Sequence, residues 1–271
     1  MKTRESKKLL TLEEIKQSFS EQTLISGQII FADPNDKMFK VLIGQNEDQS
    51  PIYGILPFDE FSVQNFNLIK PDPKNPNQFI LGKDAFFSGG KWINCYIISM
   101  NNNNIYISRK MTQTIEFYNL EVGQEVNCEI TSLNHPYTFV DIGKGIVALN
   151  LIQDLSITRY TDVKNWFNVG DKFSAIITDI QPNKRIFVSR KAYFEKHSLN
   201  ETIKINQILP CRIADKITGG YFVEITPLIS GIMDTEKTFQ EGQNVLCYVK
   251  RITKRNNGKI AYHLTFCNSL D

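Results

Sequence analysis

The stretch PYTFVDIGKGIVALNLI, Pro136 to Ile152, decides the fold. Tyr137 to Ile142 is rich in aromatic and β-branched residues and reads as a strand. Gly143-Lys144-Gly145 reads as a tight turn, because glycine reaches the left-handed backbone region without steric cost. Ile146 to Leu149 reads as the returning strand. A short hairpin of this kind cannot bury both faces by itself, so it must belong to a larger sheet. What its outward side chains do is the functional question.

Working outward, the hairpin belongs to a unit that recurs. LISGQII (24–30), LEVGQEVNCEI (120–130) and IKINQILPCRI (203–213) open alike, each with Gly or Asn before Gln and then a strand. A Gly-apolar pair follows at Gly54-Ile55, Gly145-Ile146 and Gly231-Ile232, and a Gly-polar pair at Gly90-Lys91, Gly170-Asp171 and Gly242-Gln243. Short closing strands come last: IYISRK (105–110), IFVSRK (186–191) and KIAYHLTF (259–266). Five short strands per unit predict a small antiparallel barrel, repeated three times. The expected fold is therefore all-β: three tandem five-stranded barrels with short linking helices and an N-terminal amphipathic helix.

The expected boundaries are 1–20 for the N-terminal helix, then barrels at 21–112, 119–192 and 201–271. The third and fourth strands are furthest apart in the first unit, whose KPDPKNPNQ (70–78) reads as an irregular loop. They are closest in the third, which leaves no room for a helix. The second unit has room for a short helical turn at NLIQDL and a loop carrying Trp166. In TLEEIKQSF, Thr11 and Glu14 have capping-box spacing, and Leu12, Ile15 and Phe19 share a helical face expected to pack on the first barrel. RKMTQTIEFYN and RKAYFEKHSLN read as helical linkers, too short and aromatic to be loose tethers.

Composition narrows the function classes. With 271 residues, 41% apolar and 22% charged, the chain builds packed cores. A net charge of +2 and pI near 8.2 permit an anionic partner without demanding one. Cys95, Cys128, Cys211, Cys247 and Cys267 form no CxxC pair, and most lie in apolar runs, as expected of reduced structural thiols. No apolar run approaches the ~18 residues of a membrane span, and no secretory signal follows the charged start MKTRESKK. A cytoplasmic protein without a membrane partner is expected, or a virion protein if the chain is a scaffold.

The second unit resembles the S1 domain, an OB-fold barrel found in many RNA-processing proteins. The carrying residues are VGQEVNCEITSLN, FVDIGKGIVALN and VGDKFSAIITDIQPNKRIFVSRK, which match the family's strand signatures in order. The first and third units resemble it through the same landmarks. The tandem arrangement is similar to a shortened ribosomal-protein-S1-like chain, a type that bacterial viruses also encode. The resemblance implies single-stranded RNA as ligand. Bases would stack on aromatics of the second strand while cations track phosphates.

Carried over position by position, the resemblance places Phe139 at the second aromatic, with Pro136 at the first and Tyr137 beside it. Ala148 stands where the family has His. In the fourth-to-fifth-strand turn, Gln181 replaces an Asp and Arg185 keeps the base, with Lys184 and Arg190 nearby. The third unit has Gly219 at the first aromatic, Phe222 at the second, Tyr221 beside it, and Asp234 at the His position. Its closing turn is basic, with Lys250, Arg251, Lys254, Arg255 and Lys259. In the first unit Pro57 takes the His position, NNNN (101–104) the closing turn, and Phe39 is the stacking candidate. The expected RNA-contact set is Tyr137, Phe139, Lys184, Arg185, Tyr221, Phe222, Arg255 and Lys259.

Catalytic chemistry has little footing. His135, His197 and His263 lack metal-ligand spacing, SGGKW (88–92) is not a phosphate loop, and neither a nucleophile elbow nor HExxH occurs. A non-catalytic protein without metal or cofactor is expected. Two readings stand: an RNA-binding adaptor, or a protein-interaction scaffold, such as a viral-particle component or ribosome-associated factor, in which that face has eroded. The oligomeric state stays open.

Overall fold

A computed structural model describes residues 9–84, 89–101, 104–158, 162–197, 203–254 and 260–269. The chain divides into two compact units, Met1–Leu120 and Glu121–Asp271.

The first unit begins with helix α1 (Leu12–Glu21). Thr11 Oγ1 accepts from the Glu14 N–H at 3.2 Å and the Glu14 carboxylate accepts from the Thr11 N–H at 2.8 Å, so the expected capping box forms. Ile15 is fully buried and Phe19 packs beside it, whereas Leu12 stays exposed. Strands β1 (Ile25–Asp33), β2 (Met38–Gln45), β3 (Pro51–Pro57), β6 (Trp92–Asn101) and β7 (Asn104–Ser108) close in the order β1-β2-β3-β7-β6. Between them, β4 (Ile69–Pro71) and β5 (Phe79–Leu81) form a separate hairpin. The irregular loop expected at 70–78 is present over 72–78 as the turn of this hairpin, with only Lys70 and Pro71 drawn into β4. Pro71 ends its strand, a place where the missing N–H costs no ladder bond, and the Asp72 N–H donates to Gln78 O at 2.9 Å to close the turn. Helix α2 (Lys110–Tyr118) ends the unit.

The second unit holds two barrels. One is β8 (Glu125–Asn134), β9 (Tyr137–Asp141), β10 (Val147–Leu151), β11 (Lys172–Ile180) and β12 (Ile186–Ser189), closed as β10-β12-β11-β8-β9. Helix α3 (Arg190–His197) follows. The other is β13 (Ile208–Ile217), β14 (Gly220–Thr226), β15 (Ile229–Asp234), β16 (Asn244–Lys254) and β17 (Ile260–Ser269), closed as β13-β14-β15-β17-β16. The all-β expectation of three five-stranded barrels therefore holds.

Closure repeats in detail. The first strand is bulged at Ile29/Phe31, Ile130/Ser132 and Ile213/Lys216, and the fourth at Ile97/Ser99, Ile177/Asp179 and Val249/Arg251. Bulges at matched places add the twist that lets a short sheet curl onto itself. The Gly-polar landmark is equally regular. Gly90, Gly170 and Gly242 have φ of 76°, 97° and 85°, and each donates to the first strand, at Ile29, Ile130 and Ile213.

Two other landmarks shift. The left-handed residue ahead of the first strand is Gly123 in the second barrel and Asn206 in the third, but Gln22 in the first, at the end of α1. Gly27 lies inside β1, where a Cβ would meet Val41 Cγ1 at 2.6 Å. The third strand is also displaced. Gly54 pairs with Val41 and Ile105, Gly231 with Val223 and Tyr262, and Ala148 with Val140 and Ile186. Ala148, not Gly145, is thus the counterpart of Gly54 and Gly231. All three are small and buried because the parallel closing strand crowds them. A Cβ on Gly231 would meet Leu264 Cδ1 at 2.3 Å.

The interiors are apolar. Burial pushes the Cys95 and Cys128 thiols up to about 12, as inert core groups require. Cys211 and Cys247 are buried as well, whereas Cys267 is exposed.

Candidate nucleic-acid interface

Strand β9 alternates strictly: Thr138 and Val140 point into the barrel, while Tyr137, Phe139 and Asp141 point out. Residues paired in register share a face, so the pairings assemble an outer row. Phe139 pairs with Leu149 on β10, and Leu149 with Phe187 on β12. All three are half-buried, and the Tyr137 ring lies 6.5 Å from that of Phe187. Four apolar side chains thus lie together on the second, third and fifth strands.

Below them the barrel interior is polar at Thr138 and Asn150, both fully buried. Thr138 Oγ1 donates to Asn150 O at 3.1 Å, and Asn150 Oδ1 accepts from the Arg190 N–H at 3.1 Å. At one end of the row, the Asp141 carboxylate accepts from the Gly143 and Gly145 amides and holds the turn that presents Lys144. At the same end, the Gln181–Arg185 turn presents an exposed Arg185 and a half-buried Lys184 with φ of 67°.

The third barrel repeats the row as Phe222–Ile232–His263, with Phe222 41% exposed. His263 Nε2 lies 3.2 Å from Thr253 Oγ1. Lys250, Arg251 and Lys254 are exposed along β16. Arg255 and Lys259 lie outside the described residues. In the first barrel the register gives Lys40–Ile55–Tyr106, with the Lys40 ammonium 4.0 Å from the Tyr53 ring centroid. Leu12 and Lys16 of α1 wall this face, leaving a groove of about 800 Å³.

Several expected contacts are corrected. Tyr221 is 4% exposed: its ring packs on Phe239 and its hydroxyl accepts from the Phe239 N–H at 3.1 Å, so it is a core residue. Phe39 is fully buried against Phe58 and Phe61. Pro57 and Asp234 do not occupy the place of Ala148, and Ala148 itself lies inside the barrel. Arg190 is no phosphate-facing cation. Its guanidinium donates to Leu155 O at 3.1 Å and packs against Phe167 and Phe194. Arg109 does the same in the first unit, donating to Phe61 O at 2.9 Å, while Ser108 and Ser189 cap the helices that follow. The repeated Ser-Arg-Lys is structural.

The sequence reading missed Phe187, Leu149, Ile232 and Tyr106. The alternation of IFVS, with Ile186 and Val188 buried and Phe187 between them, carries the signal. Among the described residues no cluster of three or more His, Cys, Asp or Glu is placed to hold a metal, and no helix is long and apolar enough to cross a membrane.

No family model and no curated protein matches the chain. Among solved structures it is similar to a multidomain protein with nucleic acid binding domains from Streptococcus pneumoniae TIGR4, at 16% identity and TM-score 0.33, covering 91% of this chain and 73% of that one. It is also similar to GSP13 from Bacillus subtilis, at 19% identity and TM-score 0.26, over 32% of this chain and 65% of that one. CSD456 of Drosophila Unr matches at 11% identity and TM-score 0.24, over 92% and 98%. Likenesses this distant carry no argument about function.

Proposed function

We propose that the chain is a non-catalytic single-stranded RNA-binding adaptor whose outer strand faces hold the bases and whose hairpin turns hold the phosphates. The observation that carries this is the in-register row Phe139–Leu149–Phe187 with Tyr137 beside it, bordered by Lys184 and Arg185. Five-stranded OB barrels bind oligonucleotides on their second and third strands, and each exposed ring stacks on a base of any identity. The S1 resemblance of the second unit supports RNA in particular.

Fluorescence anisotropy of a labelled single-stranded RNA of ~20 nucleotides, at two salt concentrations, tests the reading. Binding that weakens steeply with salt is expected, because phosphate contacts release counterions. Absence of binding at low salt overturns it.

One observation favours the scaffold reading. Met111, Ile115 and Tyr118 of α2 are 44%, 72% and 64% exposed, an apolar stripe at helical spacing. Light scattering of the free protein separates the two, since a stable oligomer without RNA affinity is the scaffold's signature.

A further inference from the structure

In the second unit, two described stretches of the connection from β10 to β11 of one barrel, around Ser156 and around Trp166, are seated on the outer surface of the next. The Ile157 N–H donates to Pro227 O at 2.8 Å, and Ser156 Oγ donates to the Glu224 carboxylate and lies 3.2 Å from Pro227 O. Further along the connection, the Glu241 carboxylate accepts from Trp166 Nε1 and from Asn165 Nδ2, each at 3.0 Å. Trp166 is 1% exposed, with the Arg212 guanidinium 5.2 Å from its ring. Gly242 lies so close that a Cβ on it would sit 1.8 Å from Asn165 O.

The Ser156–Glu224 pair is buried, and polar groups this dry hold their partners in one geometry, since a lost partner leaves a desolvated group behind. Glu224 is 8% exposed and accepts from a buried serine. This joint is a fixed contact, not a loose tether.

Its position relative to the rows is the point. Glu224 stands two residues from Phe222 on β14 and points to the same outer face, paired with Arg212 on β13 and Ser230 on β15. Two residues along a strand are about 7 Å, so the joint borders the Phe222–Ile232–His263 row directly. On the other barrel, Ser156 follows Leu151 after one short turn, Ile152–Asp154, and Leu151 pairs with Tyr137. The joint therefore lies between the Tyr137 end of one row and the Phe222 edge of the other.

We infer that the two barrels of the second unit act as one platform for a single strand of nucleic acid long enough to cross the joint. Ser156, Trp166, Glu224 and Glu241 are its positioning residues. The inference rests on the RNA-binding reading. A rigid joint holds the second row at a fixed span from the first and raises its effective concentration for a strand already bound, without adding contacts.

The test compares a 6-nucleotide with a 20-nucleotide oligouridine on the full chain and on two variants. Glu224→Ala with Glu241→Ala releases both carboxylate anchors. Trp166→Phe keeps an aromatic ring at the joint but removes the N–H donor to Glu241 together with part of the buried indole. The native chain is expected to bind the longer RNA about 100-fold tighter, within the range that linked sites reach. In the double variant that ratio is expected to fall by roughly ten-fold, and in Trp166→Phe by a smaller factor. The 6-nucleotide affinity stays unchanged in both. A merely structural role would weaken both lengths together. An unchanged ratio with the short RNA still bound overturns the platform alone. Loss of binding to both lengths by the native chain overturns the RNA-binding reading with it.

Discussion

In the first barrel β2 runs Met38-Phe39-Lys40-Val41, and at the same register in the second barrel β9 runs Tyr137-Thr138-Phe139-Val140. The inward residue of the pair is Phe39 in one and Thr138 in the other, and the outward residue is Lys40 or Phe139. The side-chain period of a strand is two, so moving an aromatic by one place sends it from the surface to the core. The third barrel takes both options, with Tyr221 inside and Phe222 outside. Residue type therefore does not separate a stacking platform from a core filler. Phase does.

The strongest way to break this comparison is to truncate both aromatics. Phe39→Ala removes a fully buried ring and is expected to cost about 3–5 kcal/mol of unfolding free energy, read by denaturant titration. Phe139→Ala should cost well under ~2 kcal/mol of stability, since its ring is only half-buried. It should instead weaken RNA binding by about 1–3 kcal/mol, the loss of one stacked base. If Phe139→Ala unfolds the second barrel and leaves affinity intact, the outward assignment is wrong.

A finer test separates cation from ring. Lys40 stands where Phe139 stands, so a strand crossing the first barrel meets a charge in place of a π-face. Lys40→Ala is expected to reduce the slope of log affinity against log salt by about 0.7, one phosphate contact on a single strand. Phe139→Ala should lower affinity with the slope unchanged. Equal slopes for native chain and Lys40→Ala would remove the first barrel from the RNA path.

Much of the fold was legible because closure makes local demands. A left-handed residue must precede the fourth strand, and Gly90, Gly170 and Gly242 announce it. The missing helical turn of the third barrel followed from the short span between Gly231 and Gly242. The candidate site was less legible. Gly145 resembled Gly54 and Gly231, yet the crowded position is filled by Ala148, since alanine also fits beside a parallel closing strand. Phe187 passed unnoticed because the closing strand IFVS was read only as a barrel strand, without asking which of its residues point outward. Trp166 was visible, but its partner Glu241 is brought to it only by the packing of two barrels. Distant pairings of this kind leave no periodic trace.

The smallest expected effect concerns how α3 is tied to the second barrel. The Glu125 carboxylate, at the start of β8, accepts from Lys196 Nζ at 2.7 Å and lies 2.9 Å from His197 Nε2. Hydrogen bonding from Lys196, then from His197, holds its carboxyl below the ordinary 4.5. A depressed folded value means the unfolded chain binds the proton more readily, so stability rises with pH through this window. The contribution is fully present above about pH 4.5 and fades as pH falls through the depressed value. Because the group is exposed, salt screens it and the effect is modest. Amide exchange across Arg190–His197 should quicken between pH 5 and pH 3, beyond the intrinsic pH trend, relative to the amides of β11. Glu125→Gln should remove that difference. Identical pH profiles in the native chain and the variant would show that α3 is held by its other contacts, those of Ser189, Arg190 and Lys191.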